Sequence, residues 1–135
     1  LEVQVNAANG SIRVIRAVAS ADSGHIVNPD GVANQIEGGL IQSLSWTMKE
    51  QVHFDETQVL SNDWASYPIM VFSEAPPIEV VLINRPGSPF LGTGEASQGP
   101  TGAALANAIF DATGVRYREL PLTPERILAG LKNKV

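Results

Sequence analysis

Apolar and polar positions alternate twice near the start of the chain, over residues 1–5 (LEVQV) and again over residues 11–20 (SIRVIRAVAS). Asn9-Gly10 lies between them and supplies the positive φ values that a tight hairpin demands, which predicts two antiparallel strands. Asn9-Gly10-Ser11 also fits a glycosylation acceptor, but the turn already accounts for these residues. The period then changes. Val32, Ile36, Leu40, Leu44 and Met48 recur every four residues and form one apolar stripe of a long helix. Asn28 suits its N-cap, and Pro29 suits the first helical position, where a missing N–H leaves no bond unmade.

Beyond that helix, QVHFDETQVLS reads as a hairpin turning at Asp55-Glu56. An irregular aromatic segment and a Pro76-Pro77 break precede a strand, IEVVLI. A second helix starts at Pro100 or Thr101, carries Leu105, Ala108, Ile109 and Ala112 on one face, and stops at Gly114. VRYREL alternates like a further strand. The last helix is short: Thr123 caps it, Pro124 opens it, and Lys132 and Lys134 favour its negative end. Strands and helices mix without regular βαβ alternation. The expected class is α+β, with antiparallel strands and hairpins packed with two main helices and a short C-terminal helix.

Length and composition narrow the function classes. The 135 residues suffice for a single domain and not for two. The chain opens at Leu1 inside an alternating pattern, without an initiator Met, so residues 1–135 read as a single domain or a fragment of a longer polypeptide. A net charge of −5 offers no basic footprint for nucleic acid. No apolar run reaches the roughly 18 residues of a spanning helix. Cysteine is absent, so the chain carries no iron–sulfur ligands, thiolate zinc site or cysteine nucleophile. His25 and His53 are too few for a metal site, and none is expected. Composition leaves the compartment open.

Two features suggest chemistry. Beside the apolar stripe of the first helix runs a second one, Gln35, Gly38, Gly39 and Gln42. Each helical glycine costs about 1 kcal/mol relative to alanine, so either tight packing or a close ligand must offset it. The second feature is FLGTGEASQGPTGAALANAIFDATG, in which glycines surround Glu95 just before a helix. Its glycine spacing is not a dinucleotide fingerprint, no Walker lysine follows, and a carboxylate would repel a phosphate. Glu95 is therefore either a surface glutamate or a general base, which must be ionised, sheltered and within reach of a proton. The serines of NGSIR and PGSPF lack a nucleophile elbow.

Three stretches, HIVNPDGVANQIEGGLIQSLSWTMKE, LSNDWASYPIM and GTGEASQGPTGAALANAIFDATGVRYRELPLTPERIL, together resemble one family. It is the C-terminal part of the molybdenum-binding (large) subunit of the xanthine dehydrogenase/aldehyde oxidase family, closest in look to bacterial isoquinoline 1-oxidoreductase and aldehyde dehydrogenase-like members. The resemblance covers nearly the whole chain, in order. It implies that Glu95 is the base acting on the Mo–OH group, from which water-derived oxygen attacks an aldehyde or N-heterocycle. It implies that Gln35, Gly92 and Gly94 approach the molybdopterin cofactor, in its cytosine dinucleotide form. It also implies partners: the remainder of the molybdenum subunit, a small [2Fe–2S] subunit and a small-molecule substrate, with the isolated chain inactive. Asn34 stands where many relatives have glycine, and SLSW and SQGPTGA depart from the family's usual forms. The competing expectation is a non-catalytic packing or partner-binding module that keeps the family fold.

Overall fold

The computed structural model describes residues 1–133. Its elements are β1 (Glu2–Val5), β2 (Ile12–Asp22), α1 (Pro29–Met48), a single 3₁₀ turn (Phe72–Glu74), β3 (Ile78–Ile83), α2 (Gln98–Thr113) and α3 (Pro124–Lys132). This is an α+β fold built on a three-stranded sheet of order β1-β2-β3. Lys134, expected at the end of the last helix, lies outside the described residues.

The predicted hairpin forms, but through a longer loop: the Asn6 N–H donates to the Ser11 carbonyl, the Gly10 N–H to that of Asn6, and Gly10 alone of the Asn9-Gly10 pair has a positive φ. Gly10 takes φ 77°, and a side chain there would run into the Pro124 carbonyl at the start of α3. β1 pairs antiparallel with residues 12–16 of β2, and β3 pairs with residues 17–22. The second pairing is parallel, so the sheet is mixed rather than purely antiparallel. IEVVLI is apolar at five of its six positions, a pattern that marks a strand without giving the direction of its neighbour. The parallel arrangement needs a long crossover, and α1 lies within it.

Three further boundaries differ from the sequence expectation. The hairpin of residues 51–61 reduces to one bridge, Phe54 to Val59, because Asp55 folds its carboxylate onto the N–H groups of Thr57 and Gln58. VRYREL forms no strand. Val115 and Tyr117 do turn inward, alternating with exposed arginines, but no neighbouring strand among the described residues offers a ladder. Tyr117 instead covers Gly130 of α3 and donates to the Ile127 carbonyl at 2.7 Å. Helix α2 begins at Gln98, two residues before the proline, and buries Thr101, Leu105, Ile109 and Thr113, leaving Ala112 exposed.

The helix stripe holds: Ile36, Leu40 and Leu44 of α1 are buried, with Asn28 accepting from the Gly31 N–H at 3.0 Å. Leu40 and Leu44 meet Val14, Ala17, Leu105, Ile109, Leu122 and Ile127 in one core. Fully burying each such leucine or isoleucine contributes about 1.5–3 kcal/mol, so this core fixes how α1 and α2 lie against the sheet.

Candidate active-site loop

β2 and β3 run parallel and both end at the same side of the sheet, at Asp22 and Ile83. The loop from residue 84 to residue 97 starts there and is fastened to the turn that follows β2. The Arg85 N–H donates to the Gly24 carbonyl at 2.8 Å, and the Leu91 N–H to that of Ser23 at 2.9 Å. Arg85 also pairs with Asp22 at 2.5 Å, and Asn84 accepts from the Ile26 N–H at 2.9 Å. The Gly24 N–H and the Arg85 guanidinium hold the Asp22 carboxyl below its ordinary range.

The far end of the loop is fixed to helix α1. Ser97 is buried and its hydroxyl donates to the Ile36 carbonyl at 2.8 Å. Ser43 reaches back to the Gln98 carbonyl at 2.9 Å, and Gln98 donates to the Gln42 side chain at 2.6 Å. Gly39 makes this approach possible: a Cβ there would stand 2.5 Å from the Ser97 hydroxyl. The glycine pair in α1 thus divides its roles. Gly39 admits the start of α2, whereas a Cβ on Gly38 would meet nothing within 4 Å.

Between its two fastened ends the loop presents Glu95. Its side chain is exposed, and its carbonyl accepts from the Gln98 N–H at 3.1 Å, which begins the helical turn. Gln35 of α1 extends its amide to the Gly94 carbonyl at 3.4 Å, a long contact that brings Gln35 beside the loop. Gly92 and Gly94 are exposed, and added Cβ atoms there would also meet open space. Gln35, Gly94 and Glu95 are therefore neighbours, with Gly92 two residues upstream. Two grooves border the loop. One, of about 290 Å³, is lined by His25, Val32, Gln35, Phe90 and Thr93. The other, of about 400 Å³, includes Gly92 and Ala96. Glu95 lines neither.

Sequence reasoning missed Ser97, Asn84 and the Asp22–Arg85 pair. Only Ser97 left a trace, in the helical glycine that had to face something. Among the described residues, no group of three or more histidine, aspartate or glutamate side chains gathers to hold a metal ion. No described helix is long and apolar enough to cross a membrane.

Comparison with known proteins gives this loop its context. Residues 1–76 match the model of the molybdopterin cofactor-binding domain. A nicotinate dehydrogenase subunit of Pseudomonas putida is 49% identical over 130 residues, covering 96% of this chain and 11% of the relative. The molybdenum-binding subunit of an Escherichia coli aldehyde oxidoreductase is 31% identical over all of this chain and 19% of its own length. The crystal structure of quinoline 2-oxidoreductase from Pseudomonas putida 86 superposes with a TM-score of 0.88 at 28% identity, over 98% of this chain and 18% of that one. The chain thus spans less than a fifth of the proteins it matches. It belongs to the molybdopterin cofactor-binding domain family and corresponds to a part of the molybdenum-binding subunits of the xanthine dehydrogenase type.

Proposed function

We propose that this chain forms one wall of the cofactor and substrate site of a molybdenum hydroxylase that oxidises an aldehyde or an N-heterocycle, with Glu95 as general base. The observation that carries this reading is the juxtaposition of Gln35 and the Gly94–Glu95 segment, at 3.4 Å, in a chain of the molybdopterin-binding family. The residues fit such a group. The backbones of Gly38, Gly92 and Gly94 are bare, and an added Cβ at each would occupy space a flat polar ligand could use. When bound, the molybdopterin supplies the two-electron oxidising centre. Gln35 would hold it through its amide, and the open backbone at Gly92 and Gly94 would let it come close.

Glu95 would accept the proton of the attacking water-derived hydroxyl, and the bound group would supply the acceptor for the hydrogen and electron pair that leave the substrate carbon as the new C–O bond forms. Proton transfer by a positioned carboxylate contributes about 10²–10⁴-fold. The loop anchors at Ser23, Gly24 and Ile36 hold the segment that bears it, so placement is inherited from the sheet ends and α1. In this chain the Glu95 side chain is exposed, and the shelter a base needs comes from the rest of the subunit. The cytosine dinucleotide form of the pterin and a small [2Fe–2S] subunit as partner complete the proposal; with no cysteine, this chain ligates no cluster.

The exposure of Glu95 also favours a second reading, a packing module in which the carboxylate has no catalytic part. Glu95→Gln in the full-length subunit separates the two. The catalytic reading expects kcat to fall about 10²–10⁴-fold with metal and pterin content unchanged. Turnover within about threefold of the parent would favour the module.

A further inference from the structure

β2 changes partner halfway along its length, and this leaves one of its edges bare. Its first half, residues 12–16, lies beside β1; its second half, residues 17–22, lies beside β3 on the other edge. Among the described residues, no strand lies against the β1-side edge of β2 beyond Arg16. The Ala17 N–H donates to the Pro77 carbonyl at 3.1 Å, on the β3 side. Backbone groups alternate in direction along a strand, so Val18, Ser20 and Asp22 aim their N–H and C=O groups at the bare edge. Such an edge invites pairing with another strand.

The bare edge forms one side of the groove of about 400 Å³. Ile36 and Leu40 of α1 and Thr101 and Ala104 of α2 line it as well, and Leu1 stands at its end. β1 runs antiparallel to β2 with Glu2 opposite Arg16, so a backward extension of β1 heads along residues 18–22. Leu1 already packs against the core, as Ala17 and Ala19 do. The chain spans only 11% to 19% of its curated relatives' lengths, so a longer polypeptide has residues to supply.

We propose that this groove is an interaction surface for an extended strand, and that its occupant is the polypeptide immediately preceding Leu1 in the complete subunit. That segment continues β1 by about five residues in the register of the Glu2–Arg16 pair. Leu1 then lies opposite Ala17, and the second and fourth residues before Leu1 lie opposite Ala19 and Ala21. Cross-strand partners share a face. Ala17 is buried, and Ala19 packs on the same core, so those two preceding positions point towards the helices and carry apolar side chains. The small alanines leave the groove that these side chains fill. The proposal stands whether or not Glu95 is a base, because it rests on the sheet alone.

Residue-resolved hydrogen exchange on the full-length subunit tests it. The Val18, Ser20 and Asp22 amides are expected to exchange at least about 100-fold more slowly than unstructured chain, like the Ala19 and Ala21 amides on the β3 side. Free exchange at those three, with Ala19 and Ala21 protected, would overturn the proposal. A cysteine pair fixes the occupant and register. Ala19→Cys, with cysteine at the second residue preceding Leu1, is expected to close a disulfide on mild oxidation, and cysteine one residue further upstream is not. Protected amides without that cross-link would mean that another strand covers the edge, and would equally overturn it.

Discussion

Gly38 and Gly39 are adjacent in α1, yet alanine at each has an opposite expected effect. Alanine is about 1 kcal/mol better than glycine inside a helix. At Gly38 nothing stands within 4 Å of the new methyl, so Gly38→Ala should raise the stability of the fold by about that amount. At Gly39 the methyl would press on the buried Ser97 hydroxyl, already bonded to the Ile36 carbonyl. Overpacking of this kind costs about 1–3 kcal/mol, which outweighs the helix gain. Denaturant midpoints of the two variants check the sign of each. Thr47 is a second residue with a definite expectation. Its buried hydroxyl has no hydrogen-bond partner among the described residues, so Thr47→Val should be neutral or stabilising by up to about 1 kcal/mol. A clear loss of stability would mean that the hydroxyl has a partner. At this scale the sequence was informative wherever a residue broke a local rule. A glycine inside a helix has to be explained by something nearby, and Gly39 was; Ser97 and Asn84 break no rule, and their partners lie 61 and 58 residues away.

Elements were legible where burial imposes a period. α1, β3 and the β1–β2 hairpin could be read because one face of each meets the core and its turn or cap residues are distinctive. The missing VRYREL strand and the parallel β2–β3 pairing were not legible, since the alternation of VRYREL reports burial alone and the apolar run IEVVLI does not say which strand lies beside it or in which direction. The junction between α1 and the 3₁₀ turn yields a pH expectation. Lys49 and the Val71 N–H hold the Glu74 carboxyl below its ordinary value of 4.5. A lowered folded-state value means the pair stabilises the fold above pH 4.5, and this contribution disappears as pH falls through the folded-state value. Both side chains are partly exposed, so screening limits the effect to within about 1 kcal/mol. The melting-temperature difference between the parent and Glu74→Gln should therefore be present at neutral pH and vanish in acid below that range. A difference that persisted in acid would assign the stabilisation to packing.

Across the whole molecule, large apolar side chains stand exposed. Phe54, Trp64, Phe72 and Phe90 are all more than 70% exposed, and Glu95 stands in the open beside a groove that includes Phe90. Our account assigns their cover to the remainder of the subunit and expects the isolated chain to show neither bound molybdenum nor turnover. Metal analysis of the purified chain tests this, and stoichiometric molybdenum would refute it. The resemblance carried by the three motif stretches pointed to the family, whereas the exposure of Glu95 was not legible in the residues around it. In the function proposed above, Glu95 removes a proton during substrate oxidation. The most direct test is the single-turnover rate of substrate oxidation by the intact, cofactor-loaded enzyme, with Glu95→Gln set against the parent. The account predicts a rate about 10²–10⁴-fold lower at equal cofactor occupancy; a rate within about threefold of the parent would contradict it.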